Sequence, residues 1–101
     1  MIARIWRGWA PLDKAHDYQR HYESEVAAQL TLGHGFRGAR LLRHREGNEV
    51  QFTSIAFFSS MQAVRVFAGK HPERAVVDDM ARVLLSRWDP EVTHHDVVAD
   101  F

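Results

Sequence analysis

The apolar positions change period several times along this chain, and each change marks a new element. Residues 2–9, "IARIWRGW", alternate between two faces, with Ile2, Arg4, Trp6 and Gly8 on one and Ala3, Ile5, Arg7 and Trp9 on the other. Their β-branched and aromatic content, bounded by Pro11, predicts a strand with apolar groups on both sides. Over residues 12–31 the spacing becomes helical, and Ala15, Tyr18, Tyr22, Val26 and Leu30 form one buried stripe. Asp13 and Asp17 suit the positive end of that helix, and "GHG" at 33–35 supplies a glycine stop.

Two further strand patterns, "FRGARLLRHR" (36–45) and "EVQFTSIAFF" (49–58), flank "EGN". This is a hairpin signal, with Gly47 free to take a positive φ. Residues 60–69 predict a second helix, N-capped by Ser60 and stopped by Gly69. "ARVLLSRW" (81–88) predicts a short helix capped by the acidic pair Asp78 and Asp79, and "EVTHHDVV" (91–98) a last strand.

The order strand, helix, strand, strand, helix, strand is the α+β, ferredoxin-like arrangement with a four-stranded antiparallel sheet. Residues 1–101 are expected to form a single domain. Helices cover one face of such a sheet, yet both parities of the strands are apolar here: Phe52, Ala56 and Phe58 oppose Ile55 and Phe57. A homodimer burying the second face is therefore expected.

Composition narrows the function classes. Lys plus Arg and Asp plus Glu both number 13, so the net charge is zero, which argues against gripping nucleic acid or an anionic membrane. With no cysteine, disulfides, thiolate nucleophiles and Cys-ligated metals are excluded. Arg4 and Arg7 interrupt any signal-peptide core, and no apolar run approaches the ~20 residues of a membrane helix, so a soluble, cytoplasmic protein is expected.

"MIARIWRGW" with a helix directly after it, "FFSSMQAVRVFAG", "ERAVV", "LLSRWD" and the closing "VTHHDVV" together resemble the antibiotic biosynthesis monooxygenase-like proteins. The resemblance spans nearly the whole chain. It implies a dimeric α/β barrel with a pocket between each subunit's sheet and helices. That superfamily includes cofactor-free quinone-forming oxygenases, heme-degrading monooxygenases, heme-binding peroxidase-like enzymes and isomerases. The heme-degrading branch carries an asparagine, a tryptophan and a proximal histidine where this chain has Trp6, Phe67 and Val77. All three differ, so neither heme nor another cofactor is expected, although His71 places an imidazole in the same neighbourhood.

The resemblance thus implies a small cofactor-independent monooxygenase acting on an aromatic or polyketide-like molecule in an apolar pocket. Such an enzyme needs an aromatic lining, one base, and a cation near the developing oxyanion. Arg4 is the candidate cation. Trp6, which shares its face, is either a flat wall for the ligand or ordinary core, and Phe52, Phe67 and Trp88 are lining or core in the same way. His71, in "GKHPER", is either a base at the pocket mouth or an exposed loop histidine. His16, His21, His34 and His44 read as solvated surface. No spacing supports a metal site or a nucleotide cofactor. His94 and His95 are strand neighbours that point to opposite faces and cannot act as a pair. His94 is kept as a further catalytic candidate, and parity alone does not say which of the two meets the pocket. Two other readings stay open: a non-catalytic binder of a small hydrophobic molecule, and a proton-abstracting enzyme that uses a pocket histidine.

Overall fold

The computed structural model describes residues 1–101. Strand β1 spans Ile2–Pro11 and is followed by one continuous helical arm. The arm begins as α1 (Ala15–His21), passes through a π-helical turn (Tyr22–Val26), and ends as α2 (Ala27–Thr31). Strands β2 (Phe36–Glu46) and β3 (Glu49–Phe58) form the predicted hairpin, with Gly47 at φ 58° in its turn. Helix α3 (Met61–Ala68) follows, capped as predicted by the Ser60 hydroxyl, which accepts from the Ala63 amide. Helix α4 (Asp79–Leu84), β4 (Arg87–Trp88) and β5 (Thr93–Asp96) complete the chain.

The sheet is antiparallel, in the order β2-β3-β1-β4, with β5 also pairing β1. β4 pairs with Gly8 and Trp9, and β5 with Ile2 to Ile5, so together they fill the fourth position of a ferredoxin-like sheet. The predicted helix over 81–88 is corrected here. It ends at Leu84, Leu85 is extended, and Arg87–Trp88 adds to the sheet. The free edge of β1 explains the change: the Trp9 carbonyl accepts from the Ser86 amide and the Arg7 carbonyl from the Asp89 amide. Between β4 and β5 the chain bows away from β1. The segment 73–75 closes over the gap, bonding Ala75 to Pro90 and Val92 to Glu73 through their backbones.

Strand parity sorts the side chains as expected. Arg4, Trp6 and Ala10 of β1 and Val50, Phe52, Ala56 and Phe58 of β3 face the helices, where Tyr18, Tyr22, Leu30, Val64 and Leu85 complete the core. Ala3, Ile5, Trp9, Ile55 and Phe57 lie on the other face, which no helix covers. There the Trp9 ring is capped by the Arg87 guanidinium at 4.0 Å. No helix is long and apolar enough to cross a membrane.

Candidate functional site

Between the helix-side face of β1 and β3 and the helical arm lies a cavity of about 50 Å³. Trp6, Val26, Phe67, Val76 and Val77 give it an apolar wall, while Arg4, Tyr18, Tyr22, Ser54 and Asp78 bring polar atoms to it. It adjoins a much wider cleft of about 1390 Å³ between the arm, α3 and α4, and Val26, Phe67, Val76 and Asp78 border both spaces. Exposed apolar side chains stand among charged ones around this cleft: Leu32, Val66, Val76 and Met80 are 77, 67, 55 and 53% accessible. Apolar side chains left standing around one concavity mark a surface that something apolar covers.

Arg4 is the one buried charged residue of the chain, at 5% exposure. Its position on β1 places it under the 72–74 turn, where the guanidinium donates to the carbonyls of Pro72 and Arg74. It also lies over the Phe67 ring, 5.6 Å from the centroid. No carboxylate lies within ion-pair distance of it. Burial therefore lowers its pKa to about 10, which leaves it a cation at neutral pH.

His94 is the cross-strand partner of Arg4, which settles the parity question: His94 points to the helix side and His95 to the open face. Arg4 Nη1 stands 3.0 Å from His94 Nε2. A guanidinium only donates, so Nε2 accepts and the proton sits on Nδ1. Burial first, and then the adjacent Arg4 charge, lower the His94 pKa below the ordinary imidazole value. His94 is thus a neutral ring whose lone pair is already engaged.

Trp6 lies flat along β1 because Gly8 has no side chain; a Cβ there would come within 2.7 Å of the indole. The indole N–H donates to the Asp89 carbonyl at 2.8 Å, fixing the ring as one wall of the cavity. The π-helical turn places the opposite wall. Ser24 donates its hydroxyl to the Arg20 carbonyl, a back-bond that loosens an α-helical turn. Tyr22, the first residue of that turn, reaches Ser54 on β3 at 2.7 Å. Burial raises the Tyr22 pKa, against the opposing effect of the Ser54 hydrogen bond. Burial chiefly, then Tyr22 and Asp78, raises that of Tyr18, whose hydroxyl makes no hydrogen bond within the chain. Tyr18 is therefore a protonated donor on the cavity wall with no partner of its own.

Of the residues singled out in the sequence, Arg4, Trp6 and Phe67 line the cavity, and His94 holds Arg4. Phe52 is fully buried beneath Tyr18, 4.9 Å between ring centroids, and does not reach the cavity surface. Trp88 is half-buried under the Arg82 guanidinium. His71 is exposed and sits 3.6 Å from Glu73.

Sequence reading placed Tyr18 and Tyr22 in the core stripe and did not give their hydroxyls a role. It placed His21 on the surface and Asp78 as a helix cap. Asp78 does cap α4, accepting from the Ala81 amide at 2.8 Å. It also accepts from His21 Nε2 at 2.8 and 2.9 Å, so His21 is held with only 10% of its side chain exposed. A histidine adjoining the Tyr18–Tyr22 stripe was the available signal.

A heme does not fit this cavity. No histidine lines it, and the Val77 side chain offers no ligand to iron. The cleft outside holds one imidazole, His21, and carries Asp17, Glu23, Glu25, Asp78 and Asp79 against Arg20 alone, a poor match for two propionates.

No protein-family model and no curated protein matches the chain. Solved structures do. A variant of MhuD with two manganese protoporphyrin IX molecules bound per active site is 18% identical, with a TM-score of 0.70, covering 100% of this chain and 98% of that one. The heme-degrader MhuD from Mycobacterium tuberculosis, with two hemes bound in its active site, is 18% identical, with a TM-score of 0.67 and coverage of 100% and 99%. Rv0793 from Mycobacterium tuberculosis is 17% identical, with a TM-score of 0.60 and coverage of 98% and 96%. At these identities what the chain shares with them is the ferredoxin-like fold.

Proposed function

We propose that this chain binds a flat, weakly acidic aromatic molecule of the phenol, hydroquinone or anthrone class, and oxidises it with dioxygen without a resident cofactor. The observation that carries this reading is Arg4, a buried guanidinium with no carboxylate partner, set beside Phe67 and Trp6 at the cavity wall. A cation of this kind stabilises an anion that develops in the substrate. The Tyr18 hydroxyl is a second donor for the same oxygen.

The inner cavity is far below the ~300 Å³ of a typical ligand pocket, so it admits only the oxygen-bearing edge of a ring. The wider cleft, with Leu32, Val66, Val76 and Met80 beside it, takes the body of the molecule. For an anthrone, the ring-activated methylene supplies the electrons. One oxygen atom of dioxygen becomes the new carbonyl, and the other leaves as water with the two methylene hydrogens.

The test is oxygen uptake with a panel of hydroquinones and anthrones, read beside quenching of tryptophan fluorescence. Uptake in step with substrate loss is expected for at least one member. Binding without uptake sinks the oxygenase reading and leaves a ligand carrier. Hemin added to the same samples is expected to leave its Soret band unshifted; a shifted band with stoichiometric binding sinks the cofactor-free reading.

The uncovered sheet face, with Ala3, Ile5, Trp9, Ile55 and Phe57, is assigned to a second copy of the chain. Sedimentation velocity at micromolar concentration is expected to give a dimer. A monomer there contradicts the assignment.

A further inference from the structure

We propose that His21, oriented by Asp78, is the proton acceptor for the phenolic substrate of this site. The inference rests on the pocket reading above and names the group that reading lacks, because His94 has no free lone pair and His71 lines neither the cavity nor the cleft.

Asp78 accepts through both carboxylate oxygens from His21 Nε2, so the neutral ring carries its lone pair on Nδ1. Nδ1 makes no hydrogen bond in the chain. No fully buried polar side-chain atom is left without a partner, so this nitrogen keeps some contact with solvent. His21 is a lining residue of the cleft, and Asp78 borders both cleft and cavity. Asp78 therefore stands where the two spaces meet, with His21 on its cleft side.

The charges around it fit this role. Asp17, Glu23, Glu25 and Asp79 surround the cleft with Arg20 as the only cation, whereas Arg4 lies at the cavity wall. An acidic rim admits a neutral phenol more readily than a preformed phenolate, and a cationic interior favours the phenolate once it forms. The proton must then be taken at the boundary between them. The phenolic O–H bond breaks there, an N–H bond forms at Nδ1, and the electron pair stays on the oxygen, which then meets Arg4 in the cavity. The imidazolium is held by Asp78 through Nε2–H, which is how a carboxylate supports a histidine base. Asp78 is a positioning residue; His21 meets the substrate.

The test uses para-nitrophenol, whose phenolate absorbs in the visible, at a pH where the free probe is mostly protonated. In the unliganded chain, histidine 15N spectra are expected to show His21 with its proton on Nε2 and His94 with its proton on Nδ1. Added probe should protonate His21 Nδ1 and raise the phenolate band, while leaving His94 unchanged. In His21→Gln the probe should still quench tryptophan fluorescence, but the phenolate band should fall well below that of the parent chain. Asp78→Asn keeps an oxygen to cap α4, and is expected to lose the single His21 tautomer. A bound phenolate band equal in His21→Gln and the parent chain overturns the proposal while leaving the pocket reading intact. A parent chain that does not bind the probe overturns both.

Discussion

Arg4→Met is expected to melt roughly 10–20 °C below the parent chain and to lose about tenfold or more in affinity for phenolates. The methionine fills the volume of the aliphatic stem, so packing is largely kept. What it cannot do is donate. The carbonyls of Pro72 and Arg74 and the His94 Nε2 atom all lose the group they face. Buried acceptors without a donor cost about 1–3 kcal/mol each. Removing a desolvated charge offsets part of that, which leaves a net loss of roughly 2–3 kcal/mol.

His94 supplies an independent readout of the same change. Its pKa is lowered by burial and, second, by Arg4, so the unfolded chain binds a proton more readily than the folded one. Stability carried by the neutral ring is complete above the ordinary imidazole pKa and is lost as pH falls through the lower folded value. In Arg4→Met part of the depression disappears, so the His94 titration seen by NMR moves up, while the acid-side loss still begins at the unfolded imidazole pKa but is smaller and is complete at a higher pH. A variant that melts within ~2 °C of the parent, with an unmoved His94 titration, refutes the view that Arg4 ties the 72–74 turn to the sheet.

Phe52→Ala is expected to cost about 3–5 kcal/mol, a large share of the ~5–15 kcal/mol that holds a typical domain. Phe52 is fully buried, packed against Tyr18 on the helical arm, with the Arg43 guanidinium 5.7 Å above its ring. Truncation removes the transfer energy of the ring and leaves a void between β3 and the arm, which rigid neighbours on both sides cannot close. Urea unfolding followed by far-UV circular dichroism measures it. The matched control is Phe57→Ala, five residues along the same strand and only half-buried on the uncovered face, where a smaller loss is expected. Equal losses at the two positions contradict the placement of the core on the helix side of the sheet.

Periodicity carried most of the fold. The alternation over 2–9, the Tyr18–Tyr22–Val26–Leu30 stripe and the "EGN" hairpin each act through local spacing, and each appears where the pattern puts it. The error over 81–88 has a nonlocal cause, since Arg87 and Trp88 leave the helix only because β1 offers an unpaired edge. The site was legible in part. Arg4, Trp6 and Phe67 could be grouped from strand parity together with the family resemblance, and they meet at one cavity. The His21–Asp78 pair, separated by 57 positions in the chain, could not be read from spacing, because nothing local links the end of α1 to the cap of α4. Tyr18 and Tyr22 were legible as core but not as hydroxyls, since hydrophobic spacing is indifferent to a polar tip.

Strand β2 runs for 11 residues along the outer edge of the sheet. A long open edge is a template on which another chain can grow cross-β structure. Zero net charge gives this molecule no general repulsion to prevent that. Protection is local instead. Arg37, Arg40, Arg43 and Arg45 are all exposed along β2, and its register with β3 is broken between Phe36 and Gly38. Two such edges brought together antiparallel would set guanidinium groups against one another. The arginines that contribute little to the core are thus the chain's guard against fibril formation.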